Sequence, residues 1–223
     1  MSYFYGIYLT NNRISAALDI VRFLAEPDSL RFCHITMRGP YSQKLPDNWV
    51  QEQNKRFSAD LSVELSGTGS FFEGSQNTVF LKVKLGRLES LVHKPDFKGG
   101  LAHITLYDGK DRWLAEQILT LLYRYDFHFS LPVSGLELIR KKSPLAENYI
   151  KEHEPFFSMY QNILGSSVDI MSAHKINREA RISAIESILD AMFTKYFSNL
   201  ETYNPPAIRD LFSDFAMPNG RRY

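Results

Sequence analysis

HITM at residues 34–37 and HITL at residues 103–106 are near copies of one tetrapeptide. Around both, apolar and polar residues alternate, which is the period of a half-buried β-strand. The chain has only 6 histidines among its 223 residues, so two of them in the same setting point to a shared purpose. We therefore interpret the two segments as equivalent strands that build one site from two similar halves.

Side chains of a strand alternate between its two faces, so each copy has an apolar side and a polar side. The polar side consists of His34, Thr36 and Arg38 in the first copy and of His103, Thr105 and Tyr107 in the second. On the apolar side, Cys33 is predicted to be a small core residue. A purely structural role for the polar side would be costly, because buried imidazole and hydroxyl groups need partners. We therefore predict that both polar sides face one groove.

The composition predicts a folded globule with a small or single-stranded ligand. Hydrophobic residues make up 44% and aromatic residues 13% of the chain, which is typical of a packed core. The formal net charge of +1 excludes a strongly basic coat for long duplex DNA but permits a locally positive groove. The single cysteine excludes an internal disulfide. Since we find neither a signal sequence nor a membrane-spanning run, the expected compartment is the cytoplasm, with no membrane partner.

Periodicity and breaker residues predict an α+β order of elements. The predicted elements are, in order, strand 3–9, helix 13–24, strand 30–37, strand 57–65, strand 78–85, helix 86–92, strand 101–106, helix 111–123 and strand 135–139. Asn11 or Asn12 is predicted to cap the first helix. A break at Gly39-Pro40 is predicted to end the first motif strand, and residues 67–74 are predicted to form a loop. This order predicts two α+β lobes that each contribute one motif strand to a shared groove.

Residues 141–223 have a different character. Pro144, Pro155 and Gly165 are predicted to interrupt short helical patches, and apolar residues at helical spacing between 182 and 200 predict a longer helix. We therefore divide the chain into a domain at 1–140 and a mainly helical extension at 141–223. The extension either folds on the first domain or binds a partner, which leaves self-association and a protein partner open.

Two histidines across a groove suit phosphodiester cleavage. A neutral imidazole takes a proton from the nucleophile, and a protonated imidazole gives one to the leaving oxygen. Both forms exist at neutral pH because the pKa of free imidazole is near ~6.5. The hydroxyls of Thr36 and Thr105 would donate hydrogen bonds to the non-bridging phosphate oxygens. This chemistry requires no metal and no cofactor, and the likeness of the two halves leaves open which histidine is the acid.

With these two motifs the chain resembles the 2H phosphoesterase superfamily, the LigT-like proteins, whose signature is a pair of His-hydrophobic-Thr/Ser-hydrophobic motifs. The resemblance covers residues 1–140 and implies a bilobal α+β sandwich of antiparallel sheets with outer helices. It implies cleavage of cyclic nucleotide phosphates or of 2′-5′ or 3′-5′ linkages. It also implies that His34 and His103 are the acid–base pair and that Thr36 and Thr105 bind the phosphate. The extension at 141–223 is not part of the minimal family domain.

Four further residues are candidates for substrate contact. Arg38 and Tyr107 each lie four residues after a motif histidine. We predict that Arg38 pairs with a phosphate and that Tyr107 stacks on a base or binds a phosphate. Tyr41 and Phe72, like the adjacent Phe71, lie beside polar residues and glycines, where an exposed ring can stack on a nucleobase. The competing interpretation places these residues at a rim or at the edge of a core.

The expected substrate is a nucleotide or a short RNA, and two alternatives to its simple hydrolysis are open. One is degradation of a signalling cyclic or 2′-5′-linked oligonucleotide in defence or counter-defence, which needs aromatic rings for more than one base. The other is a protein without catalysis that holds RNA or a nucleotide in the same groove. The remaining histidines have no metal-ligand spacing, so the sequence predicts no metal site.

Overall fold

The structure, a computed structural model, describes residues 2–27, 32–56, 61–94, 100–139 and 147–197. The strands within these ranges are β1 (Tyr3–Ile7), β2 (Ile35–Tyr41), β3 (Ser62–Glu73), β4 (Gln76–Lys84), β5 (His103–Gly109), β6 (Ser130–Pro132) and β7 (Glu137–Leu138). The α-helices are α1 (Asn12–Ala25), α2 (Asp47–Arg56), α3 (Arg112–Leu122), α4 (Glu147–Leu164) and α5 (Arg178–Phe197). Short 3-10 helices lie at Gly86–Leu91, Gly165–Ser167 and Ile170–Lys175. The predicted α+β class is confirmed.

All seven strands belong to one sheet, in the order β6-β3-β4-β5-β2-β1-β7. Each neighbouring pair runs antiparallel. The motif strands β2 and β5 are neighbours in the middle, where Ile35 lies opposite Ile104. Helices α1 and α3 pack against the sheet. The isoleucines are fully buried in the core, which leaves the polar side of both strands on the opposite face.

Helix α1 is the centre of the core. The Asn11 side chain accepts a hydrogen bond from the amide of Ile14 and thereby caps the helix. The sequence predicts one apolar stripe on this helix, yet every residue from Ile14 to Ala25 is buried. The reason is that α4 and α5 pack against α1 in addition to the sheet. A single helix is therefore covered from two directions.

The helices of the extension make specific contacts with both ends of α1. The Tyr160 hydroxyl of α4 donates a hydrogen bond to the carbonyl of Arg13, near the start of α1. Burial raises the pKa of Tyr160 to about 12. Arg181 of α5 donates to the carbonyls of Leu24 and Ala25, which lack partners within the last turn of α1. Within the described residues, the extension is packed on the same core as the sheet.

The predicted break at Gly39-Pro40 is wrong, because β2 continues through both residues to Tyr41. Gly39 has φ +113, and a Cβ atom there would lie 2.6 Å from the carbonyl oxygen of Tyr3 on the neighbouring strand. A glycine is needed for this close approach and lets the strand continue. Pro155 also fails as a break, since it lies inside α4. Pro144 lies outside the described residues.

The predicted loop at 67–74 is wrong as well, because β3 runs from Ser62 to Glu73. Gly67, at φ +96, belongs to an irregularity between Leu65 and Thr68 that shifts the register against β4. Gly69 lies opposite Phe80, and a Cβ there would come within 2.7 Å of the Phe80 ring. These glycines shape a continuous strand.

The polar segment after β2 forms helix α2, which the sequence does not predict. Asn54 of α2 bonds to the backbone of Leu136 through both ends of its amide. The first residues of the predicted strand 57–65 lie outside the described ranges, as do Leu30 and Arg31. No helix in the described part of the chain combines the length and the apolar character needed to cross a bilayer.

Candidate active site

The antiparallel pairing of β2 and β5 brings the polar residues of both motifs together. Because Ile35 pairs with Ile104, the same register places His34 opposite Thr105 and Thr36 opposite His103. Directly opposed side chains lie on the same face of a sheet, and diagonal neighbours are about 7–8 Å apart. The two histidines are such diagonal neighbours, and each has the other motif's threonine opposite it.

Both histidines are oriented by the same hydrogen bond. The Nδ1 atom of His34 lies 2.8 Å from the carbonyl oxygen of Phe32, and the Nδ1 atom of His103 lies 2.8 Å from that of Leu101. A carbonyl oxygen only accepts, so Nδ1 must carry the hydrogen in both rings. In the neutral tautomer Nε2 then holds the lone pair, and it is the atom that can take up a proton. Both motifs therefore fix the same imidazole tautomer, with the hydrogen on Nδ1.

His103 lies against aromatic rings that lower its basicity. Its ring centroid is 4.9 Å from that of Phe80 and 6.0 Å from that of Phe71. Burial lowers the pKa of His103, and the charge of Lys94 lowers it further, whereas the bond to Leu101 and the charge of Asp108 raise it. The net effect is a pKa of His103 below its ordinary value, which favours the neutral imidazole at pH 7.

Two charged residues of α1 hold the motif strands from the core side. Asp19 is 1% exposed and accepts a 2.6 Å hydrogen bond from the amide of Cys33, the residue before His34. Arg22 is 2% exposed and donates a 2.9 Å hydrogen bond to the carbonyl of Thr105. Cys33 is buried between them, as the sequence predicts, and burial and the charge of Asp19 raise the pKa of its thiol. One helix therefore fixes both motifs.

A groove of about 560 Å³ opens over the cluster, and Thr36, His103 and Thr105 line it. His34 is half-buried beside this lining, and its ring lies 6.0 Å from that of Tyr8. Lys94 lines the groove at the end of β5 where Leu101 lies, and burial lowers the pKa of its ammonium group. A half-buried cation next to His103 favours an anionic ligand.

Arg38 and Tyr41 lie beside the groove, outside its lining. Arg38 donates hydrogen bonds to the Tyr41 hydroxyl at 3.1 Å and to the carbonyl of Leu91 at 2.8 Å, and its guanidinium lies 4.8 Å from the centre of the Trp49 ring. The Tyr41 ring stacks on His93, with its hydroxyl 2.9 Å from Nδ1. These contacts hold the segment that carries Lys94 against β2. Neither residue lines the groove itself, and the contacts of Arg38 with a phosphate and of Tyr41 with a base stay predictions.

Tyr107 does not face the groove, so that prediction is wrong. It is 3% exposed, and its hydroxyl accepts from the amide of Asp111 at 2.9 Å and donates to the carbonyl of the same residue. The cause is a bulge: Tyr107 pairs with Val79 and Thr105 pairs with Phe80, which leaves Leu106 as an extra residue in β5. Strict alternation fails beyond Thr105, and both Leu106 and Tyr107 point to the core.

Phe72 also lies away from the groove. It pairs with the buried Asn77, and the guanidinium of Arg112 from α3 lies 5.0 Å from its ring centre. Its neighbour Phe71 pairs with Thr78 and lines the groove with a 43% exposed ring. The sequence therefore points to the correct pair of aromatics, but the structure places Phe71 at the site and Phe72 under α3.

Sequence reasoning did not identify Lys94, Phe80 or Asp108. Alternation along β4 is a signal for Phe80, because Val79 and Leu81 are core residues and Phe80 must then face the other way. Lys94 lies between elements and has no periodic signal. Asp108 returns to the groove face only because of the bulge at Leu106.

Within the described residues, no three histidine, cysteine or acidic side chains are grouped so that they could hold a metal ion. Comparison with family models, with curated proteins and with solved structures finds no match to this chain.

Proposed function

We propose that this protein is a metal-independent phosphodiesterase of the 2H phosphoesterase type, acting on a cyclic nucleotide phosphate or on a 2′-5′ or 3′-5′ linkage of a short oligonucleotide. The observation that carries the proposal is the diagonal pair of histidines, each oriented through Nδ1 and each opposed by a motif threonine. Two such imidazoles supply both proton transfers of phosphodiester cleavage. The threonine hydroxyls supply donors for the phosphate.

His103 is the base in this proposal, because its lowered pKa keeps it neutral at pH 7. With a 2′,3′-cyclic nucleotide, Nε2 of His103 takes a proton from water while the water oxygen bonds to phosphorus. The bond from phosphorus to one ribose oxygen breaks, and protonated His34 gives its proton to that oxygen. The product is a nucleoside monophosphate, and proton exchange with solvent restores both imidazoles.

Thr36, Thr105 and Lys94 stabilise the phosphate during this step. The two hydroxyls line the groove on the motif strands and donate to the non-bridging oxygens, where negative charge develops. The ammonium group of Lys94 compensates that charge from the end of the groove. All three act on the transition state more strongly than on the ground state, because the charge on the oxygens increases as the bond to water forms.

We further propose that the sheet is divided into two lobes. One lobe comprises β1, β2 and β7, and the other comprises β3 to β6. A local twofold axis between Ile35 and Ile104 relates the motifs, since it exchanges His34 with His103 and Thr36 with Thr105. The shared register and the repeated Nδ1 bonds support this symmetry.

A hydrolysis assay with chelator present tests the function. The panel contains a 2′,3′-cyclic nucleotide, a 2′-5′ dinucleotide, a 3′-5′ cyclic dinucleotide and a short RNA. We expect wild-type cleavage of at least one compound, and a loss of about 10²–10⁴ in rate for His34→Ala and for His103→Ala. His128→Ala is the matched control, because this exposed histidine pairs with Asp126 outside the groove lining.

Cleavage that survives in both motif variants, or that disappears with chelator, would contradict the proposal. Binding without turnover on every compound would instead indicate a nucleotide-binding protein. Melting curves of the motif variants are part of the assay, because both histidines lie on the groove face and their loss should leave the fold intact.

A further inference from the structure

The groove face carries a second row of residues beside the catalytic cluster. Phe71 of β3 pairs with Thr78 of β4, and Thr78 pairs with Asp108 of β5. All three line the groove. Phe80 pairs with Thr105, so the new row lies two residues along β4 from the catalytic row, or about 7 Å. A ribose and a base attached to the reacting phosphate span such a distance.

Asp108 presents a fixed carboxylate in this row. Its Oδ1 atom accepts hydrogen bonds from Nε2 of Gln76 at 2.6 Å and from Oγ1 of Thr78 at 2.8 Å. Both donors end on the same oxygen, which fixes the orientation of the group. Within the described part of the chain, Oδ2 is left as an acceptor for a ligand. The charge of Asp108 is also felt by His103, so the carboxylate lies near the reacting centre.

Phe71, in the same row as Asp108, offers an apolar surface next to His103, and the two ring centroids are 6.0 Å apart. Its ring is 43% exposed and stacks on the buried Phe80 ring, with the two centroids 4.6 Å apart. Phe80 in turn lies over Gly69, where no Cβ interferes. A supported, exposed ring at the edge of a groove is a stacking platform for a base.

We propose that this row is a nucleobase site that selects guanine. The proposal depends on the proposed function, since it places the phosphate at the histidines and the attached base on Phe71. Guanine has two adjacent donors on its Watson–Crick edge, N1–H and the N2 amino group, and both can donate to Oδ2, the oxygen that Gln76 and Thr78 leave open. Adenine and cytosine place a ring acceptor beside their amino group, and uracil flanks its one N–H with carbonyls. Each would direct an acceptor at Asp108.

The charge along the groove supports one orientation of the nucleotide. Lys94 lies at the end near Leu101, whereas Asp108 lies on the other side of Thr105 and is accompanied there by Glu73. Two carboxylates repel a phosphate and favour a base edge that donates hydrogen bonds. The phosphate is therefore held between Lys94 and the motif residues, and the base points to Asp108.

The test compares kcat/KM for the 2′,3′-cyclic phosphates of guanosine, adenosine, cytidine, uridine and inosine. We expect guanosine to exceed adenosine by about tenfold or more, with inosine between them because it keeps N1–H and lacks the amino group. Asp108→Asn should lower the guanosine-to-adenosine ratio about tenfold. Asp126→Asn removes the same charge outside the groove lining and should leave the ratio as in the wild type.

Equal kcat/KM values for all five nucleotides would overturn the assignment of the base site. An equal decrease of kcat/KM for all of them in Asp108→Asn would overturn it as well. If neither the cyclic phosphates nor the oligonucleotides of the hydrolysis panel are cleaved, the proposed function fails, and the base site is tested by calorimetric titration of 3′-GMP and 3′-AMP. Tighter binding of 3′-GMP that is lost in Asp108→Asn supports the site even then. Equal binding of both nucleotides overturns it.

Discussion

Individual side chains beneath the sheet decide how accurately the motifs are placed. Arg22 is the clearest case, since its guanidinium is buried and donates to the carbonyl of Thr105. Its Nε atom is buried without a hydrogen-bond partner among the described residues, which adds to the cost of burying this charged side chain. Arg22 and Asp19 are the two charged side chains that α1 buries in a mostly apolar core.

We expect Arg22→Met to lower the free energy of unfolding by about 1.5–3 kcal/mol, because a hydrogen bond from a charged donor is lost and the carbonyl of Thr105 is left unpaired. Urea denaturation measures this change. The exposed Arg87→Met is the control and should stay within about 0.5 kcal/mol of the wild type. A stability of Arg22→Met equal to the wild type would show that this bond does not hold β5.

At the scale of the element, the sequence predicts strands correctly where apolar and polar residues alternate. Alternation predicts the polar face of both motifs correctly as far as Thr105, and the capping residue of α1 is also predicted. The errors begin where a strand departs from alternation, as at the bulge that turns Tyr107 inward. Gly67 and Gly69 also led to an error, the predicted loop at 67–74. Glycines that shape a strand cannot be distinguished by local sequence from glycines of a loop.

Contacts between distant segments could not be predicted from local patterns. Lys94 reaches the groove because the parallel bridge between Arg38 and His93 holds its segment beside β2. Asp19 and Arg22 are polar residues in an apolar helix, and only the packing of α1 against both motif strands gives them partners. The shared face of the four motif residues was predictable, whereas the contacts of Lys94, Asp19 and Arg22 were not.

At the scale of the molecule, the described residues share one core, which extends from the sheet through α1 to α4 and α5. Ile185 of α5 is fully buried in it. We expect Ile185→Ala to lower the free energy of unfolding by about 2–5 kcal/mol within a single transition, because it leaves a cavity in a shared core. Ile163→Ala, on the exposed side of α4, is the control and should have a much smaller effect. Two separate transitions in calorimetry would contradict a shared core.

In the proposed mechanism a neutral His103 acts as the base of a two-histidine site, and the pH dependence of kcat/KM is the decisive measurement. A base acts unprotonated, so activity should fall as pH decreases through the pKa of His103, which burial places below 6.5. Lys94→Gln should move this acidic limb to higher pH, since the charge of Lys94 lowers the pKa of His103, and Lys94→Arg should keep it in place. A wild-type activity loss with its midpoint at or above pH 6.5, or a midpoint that Lys94→Gln does not move, would contradict the role of His103 as the base.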